Sequence, residues 1–174
     1  MNKGYVKYAL LLAGCNALWM VIIYLLGFSH SLLGLLLMFL AIIFTVVFCV
    51  IAIKEERNAG GGYITLGKAF TTGFLTLFIA GIVGIGFNYI YTEFIDTGYM
   101  EYMTHELPVN IAQKFGAPDS EMDKIREKIE AEPIPGFDVW QIVKSLFGSA
   151  FMSAFFAIII GAIMKRNKPI ELVE

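Results

Sequence analysis

This chain is poor in charge. Only 16% of its 174 residues are Asp, Glu, Lys or Arg, against 57% hydrophobic and 14% aromatic, and the mean hydropathy is +0.70. An ordinary soluble domain carries about 25% charge and roughly 45 to 50% apolar residues, so the composition excludes that class and reads as an integral membrane protein. Nothing in the charge pattern suggests nucleic acid as a partner, which would want a basic patch outside the membrane. There are only two cysteines, Cys15 and Cys49, and both fall inside apolar runs. That excludes the disulfide framework of an exported loop, and both read as small packing residues. Leu12-Ala13-Gly14-Cys15 behind Lys3 and Lys7 has the form of a lipoprotein cleavage box. Lys7 interrupts that short apolar region, however, and Asn16 to Leu26 continues as a span where a lipoprotein would have a polar tether.

Charge is scarcest inside the apolar runs, where no Asp, Glu, Lys or Arg lies well away from an end. Ion and proton pathways are marked by such residues because they are costly there, so an ion-coupled transporter is disfavoured. The chain also lacks a nucleophile elbow, a phosphate loop, an HExxH and a paired-cysteine motif. No catalytic or cofactor-binding residue is assigned, and the protein reads as non-enzymatic. Of the two histidines, His30 and His105, the second has Glu101 one helical turn before it and Glu106 beside it. A metal site needs more ligands than that spacing supplies. Both read as solvated, with no metal and no cofactor.

What is abundant is long apolar sequence. Four runs, about 8–26, 32–53, 69–91 and 140–164, each have the roughly 20 residues that cross a bilayer. A backbone out of reach of water must bond to itself, so the runs are helices. The expected fold is an all-α membrane protein, one membrane domain over 1–174. Gly27-Phe28-Ser29-His30-Ser31 is short enough to force the first two spans into a hairpin. Phe87, Tyr89, Tyr91 and Phe94 at the end of the third span, and Trp140 at the start of the fourth, read as interfacial belts, with Asp138 as the N-cap of the fourth.

The segment of about 93–139 holds eleven acidic and four basic residues, a balance of −7 that leaves +5 for the rest. Within it, Tyr99 to Phe115 predicts a helix kinked at Pro108 and ended by Gly116, and Ser120 to Ala131 a second one with a capping-box start. Pro133-Ile134-Pro135-Gly136 is expected to turn the chain back. Lys3, Lys7, Lys54, Arg57, Lys68, Lys165, Arg166 and Lys168 all flank one side of the spans. The positive-inside rule then places both termini in the cytoplasm, an N-in/C-in topology with a helical extracytoplasmic insert between helices three and four.

Three groups of residues stand out as candidate sites. Ser145, Ser149, Ser153, Ala157 and Gly161 recur at every fourth position of the last span, and Ala69, Gly73, Ala80, Gly84 and Asn88 form a comparable ridge on the third. Small residues on such ridges let helices approach closely. They serve either packing within the chain or docking of a partner helix. Gly60, Gly61, Gly62, Tyr63 and Lys68 form a glycine-rich turn, read either as a tight interfacial turn or as a docking loop and nest for an anionic lipid head group. Glu93 and Lys144 have depths that would allow an outer ion pair, with Lys144 snorkelling outward.

Gly62-Tyr63-Ile64-Thr65-Leu66-Gly67-Lys68-Ala69-Phe70 with Gly73, followed by Tyr89-Ile90-Tyr91 and Phe94-Ile95-Asp96, resembles a bacterial membrane-protein family, domain of unknown function 4199. The likeness runs from about Lys3 to Lys168 and departs at Thr97, where the family favours proline. It implies a four-helix inner-membrane protein with an outward helical insert, and implies no activity. The function expected is that of a small scaffold or accessory subunit of a cell-envelope complex. An oligomeric channel or transporter, or an accessory to a lipid-linked glycosyltransferase, is the alternative. Membrane lipids and another membrane protein, or further copies of the chain, are the expected partners.

Overall fold

The computed structural model describes residues 4–131 and 138–168. The expected Pro133–Gly136 turn lies outside the described residues. The chain is helical throughout, in the order α1 (Gly4–Leu25), α2 (Leu32–Met38), α3 (Leu40–Ala59), α4 (Leu66–Ile90), α5 (Tyr99–Glu101), α6 (Leu107–Lys114), α7 (Asp119–Ala131) and α8 (Val139–Met164). Wide π-helical turns follow α4 at Tyr91–Ile95 and α5 at Tyr102–Glu106. Among the described residues, four elements are long and apolar enough to cross a membrane: Gly4–Leu25, Leu32–Ala59, Leu66–Ile95 and Val139–Met164.

Each long helix is apolar around its whole circumference, and large side chains such as Leu25, Phe147 and Phe151 point outward. In water that would be unstable, but a helix facing lipid has no need of a wet stripe. The ends are set by specific bonds. Gly27, at φ 73°, lets the Phe28 amide return to the Ile23 carbonyl (3.0 Å) and closes α1. Ser31 caps α2, its Oγ accepting from the Gly34 amide at 3.0 Å, and Thr65 and Asp138 cap α4 and α8 in the same way. Only Phe39 separates α2 from α3, and beside this break the Trp19 indole donates to the Leu37 carbonyl at 2.9 Å.

The second span outruns its expected end at residue 53, because Lys54 to Ala59 continue the helix. Lys, Glu and Arg form helix readily wherever their charges meet water. The first span likewise starts at Gly4, ahead of residue 8, and the third runs on through its π-turn to Ile95.

α4 is the central helix, packing on α1, α3 and most extensively on α8. The core, which includes Ala9, Leu12, Ala13, Cys49, Ile53, Ala69, Leu77 and Ile160, gathers toward the glycine-turn end of the bundle. There the helices touch through their smallest residues. A Cβ added to Gly73 would come within 3.1 Å of Cys49 Sγ and 3.3 Å of Ala157 Cβ, and one on Gly161 within 3.2 Å of the Phe70 backbone nitrogen. Toward the opposite, insert end, Gly84, Gly86 and Gly148 have nothing within 4 Å of such a Cβ. The α4–α8 pair is tight at the glycine-turn end and slack toward the insert end, apart from one close point where Gly81 meets Ser149.

Candidate functional site

From the middle of the bundle toward the insert end, two open hollows carry polar residues within a partly apolar lining. One, of about 270 Å³, lies in the middle of the bundle and is lined by Leu12 and Asn16 of α1, Thr45 of α3, Leu77, Ala80, Gly81 and Gly84 of α4, and Ser149, Met152, Ser153 and Phe156 of α8. A second, of about 380 Å³, adjoins it through Gly81, Gly84 and Ser149 and adds Ile85, Asn88 and Ser145. Of the polar residues Asn16, Thr45, Thr76, Asn88, Ser145, Ser149 and Ser153, only Thr76 lies outside both. Thr76 and Thr45 bond to the carbonyls of Thr72 (2.8 Å) and Ala41 (3.0 Å) one turn back. The Asn16 side-chain carbonyl is buried with no hydrogen-bond partner. A buried acceptor left unpaired costs about 1–3 kcal/mol, and a donor placed in the hollow would relieve that cost.

The two small-residue ridges meet inside the chain. Ala157 and Gly161 of α8 pack on Gly73, Ala69 and Phe70 of α4, with Ala157 fully buried and Ser153 and Ala80 nearly so. Ser145, Ser149 and Gly84 line the hollows farther along. The close approach also uses Gly81, whose position on α4 leaves no room for a Cβ against the Ser149 hydroxyl. Sequence reasoning passed over Gly81, although a small residue eight positions beyond Gly73 was a usable signal.

The glycine turn is tied down on three sides. Gly61 and Gly62 hold φ of 71° and 89°, the left-handed region where a side chain is strained, and the Gly62 amide returns to the Arg57 carbonyl at 2.9 Å. Ile64 and Arg166 exchange two backbone hydrogen bonds of 2.9 Å, fastening the turn to the chain leaving α8. The Arg166 guanidinium lies 5.8 Å from the centre of the Tyr63 ring, and Lys68 Nζ is 2.8 Å from Glu56 Oε1.

The outer ion pair expected between Glu93 and Lys144 is not formed. Lys68 pairs with Glu56, and His30 lies within hydrogen-bond distance of Asp96. Lys144 instead lies over the Trp140 ring, 5.5 Å from its centre and one turn earlier on the same helix. Glu93, exposed, falls in the π-helical turn.

A cluster that no local pattern announced lies at the insert end. Asp96, almost fully buried, accepts from the Tyr91 hydroxyl (3.0 Å) and from His30 Nε2 (2.8 Å), which joins the α1–α2 turn to the end of α4. The Asp96 amide closes the π-turn on the Tyr91 carbonyl at 2.8 Å. Tyr91 meets Tyr24 and Tyr99 edge to face, and Tyr102 stacks on His30 at 5.2 Å. Burial, with the Asp96 charge second, pushes the Tyr99 hydroxyl up to about 12. His105 points a buried, unpartnered Nε2 elsewhere, and among the described residues no three of His, Cys, Asp and Glu gather as metal ligands.

Four membrane-length apolar helices around a small-residue seam, with no strand among the described residues, define a multi-pass helical membrane protein. Within that class, the chain belongs to the family described as protein of unknown function (DUF4199), whose profile matches residues 7–166. No match was found among curated proteins or among solved structures.

Proposed function

We propose that the protein is a non-enzymatic accessory subunit of the bacterial inner membrane that holds an amphiphile, its uncharged polar end in the hollow at Asn16 and its apolar part between α4 and α8. The supporting observation is the convergence of six polar side chains from α1, α3, α4 and α8 (Asn16, Thr45, Asn88, Ser145, Ser149 and Ser153) on two adjoining hollows, one holding the unpartnered Asn16 carbonyl. The lining has no ionisable group, so the matching ligand carries a hydroxyl or an amide N–H, not a charge. The Lys and Arg count on the glycine-turn side favours a cytoplasmic location for that turn and both termini, with the acidic insert outside. A pore through a single chain is disfavoured, because Cys49, Ile53, Gly73, Ala157 and Ile160 close the bundle below the hollow.

Native mass spectrometry of the full chain released from mild detergent tests this. The wild type should carry one retained amphiphile. Asn16→Leu, which fills the hollow with an apolar side chain, should lose it while keeping its thermal transition. An adduct-free wild type, or equal retention by the variant, defeats the reading. A stoichiometric second protein supports the subunit role, whereas homo-oligomers without amphiphile favour a multi-copy channel.

A further inference from the structure

At the insert end, a separate open cleft of about 390 Å³ lies between the α1–α2 turn and α6, lined by His30, Ser31, Leu32, Tyr102, Asn110, Gln113 and Lys114. Its walls are unlike the rest of the insert. The segment around it is acidic, yet no carboxylate lines the cleft, and Lys114 has no acidic partner among the described residues. Asp96, the nearest carboxylate to His30, is turned away into its bonds with His30 Nε2 and Tyr91. Glu106 acts on Tyr102 from outside the lining.

The Tyr102 hydroxyl carries the next step. The residue is 2% exposed, its ring is fixed against His30, and its hydroxyl is buried without a hydrogen-bond partner. Asn110 lies beside it without hydrogen-bond geometry, and burial is the main cause that raises the hydroxyl above its ordinary range. A phenol is neutral at physiological pH, and this one has a hydroxyl free to donate. Beside it stand the Asn110 and Gln113 amides and the Lys114 ammonium, and Ser31, the cap of the second span, sets the depth of the cleft at the membrane boundary.

We propose that this cleft binds a phosphate group, with the Lys114 ammonium as its charge partner and Tyr102, Asn110 and Gln113 as hydrogen-bond donors. Lysine suits phosphate as a compact point charge, and the neutral donors complete the shell of its oxygens. The phosphate belongs either to a lipid head group at the membrane surface or to a soluble phosphate ester. The site is independent of the Asn16 hollow and stands or falls without it.

The test is calorimetric titration of the full chain in a non-ionic, phosphate-free detergent with two probes, glycerol phosphate and short-chain phosphatidic acid. Saturable binding of either supports the site. Binding of both assigns a soluble source, and binding of the lipid alone assigns the head group. Lys114→Gln should weaken binding by about tenfold or more, in keeping with a lost charge-assisted bond, and Tyr102→Phe should weaken it severalfold. Both variants should keep the wild-type thermal transition and the Asn16-dependent adduct. Failure of both probes to bind, or undiminished affinity in Lys114→Gln and Tyr102→Phe, overturns the proposal.

Discussion

A single carboxylate, Asp96, ties the α1–α2 turn to the end of α4. It takes one hydrogen bond from His30, 66 positions earlier, and one from Tyr91, while its own amide closes the π-turn. Removing it leaves a buried tyrosine hydroxyl unpaired, a loss of about 1–3 kcal/mol, and frees the α1–α2 turn. Asp96→Ala should therefore lower the thermal midpoint in detergent clearly, and Asp96→Asn, which keeps one acceptor, should recover part of the loss. An unchanged midpoint in Asp96→Ala would show that the cluster is not structural. This cluster was invisible in the sequence for a plain reason: a histidine in a turn and an aspartate beyond a distant span share no period and no motif. Asn16 was legible as a polar residue in a span, but not as the centre of a hollow, because that depends on the rotation of four helices about their axes.

Helix rotation also separates what could be read from what could not among the elements. The apolar runs fall on the four membrane-length helices, since only a helix satisfies its backbone in lipid. The ends drifted where charged residues prolonged a helix into water, as at Lys54 to Ala59. Depth was readable and azimuth was not, which is why Glu93 and Lys144 suited one another on paper while Lys144 lies over Trp140. The α4–α8 seam turns azimuth into a measurable contrast. Gly81 faces the Ser149 hydroxyl with no room for a Cβ, whereas Gly84, nearly one turn on, has open space. Gly81→Ala should destabilise the protein by about 1 kcal/mol, because the Ser149 hydroxyl can turn aside but its Cβ stays within 3.2 Å, while Gly84→Ala should be neutral or, from the better helix former, stabilising by up to about 1 kcal/mol. Equal midpoints for the two variants in detergent melting would contradict the seam geometry.

Across the whole molecule, the asymmetry of packing and the asymmetry of charge run the same way. The end with the tight seam carries the tied glycine turn, the Ile64–Arg166 bridge and most of the cations, while the slack end carries the hollows, the cleft beside Lys114 and the acidic insert. A bundle anchored at one face and open toward the other suits a protein that takes its ligand from the outer side. That sense depends on the orientation proposed from the positive flanks, because a reversed chain would open its hollows toward the cytoplasm. Single cysteines decide it, introduced at exposed Glu127 on α7 and exposed Asn58 before the glycine turn, after Cys15→Ser and Cys49→Ala. In intact cells a membrane-impermeant maleimide should label Glu127→Cys and spare Asn58→Cys, and permeabilisation should expose both. Labelling of Asn58→Cys alone before permeabilisation would reverse the topology. The hollow would then have to be filled from the cytoplasmic leaflet, and the cleft would meet cytoplasmic phosphate esters.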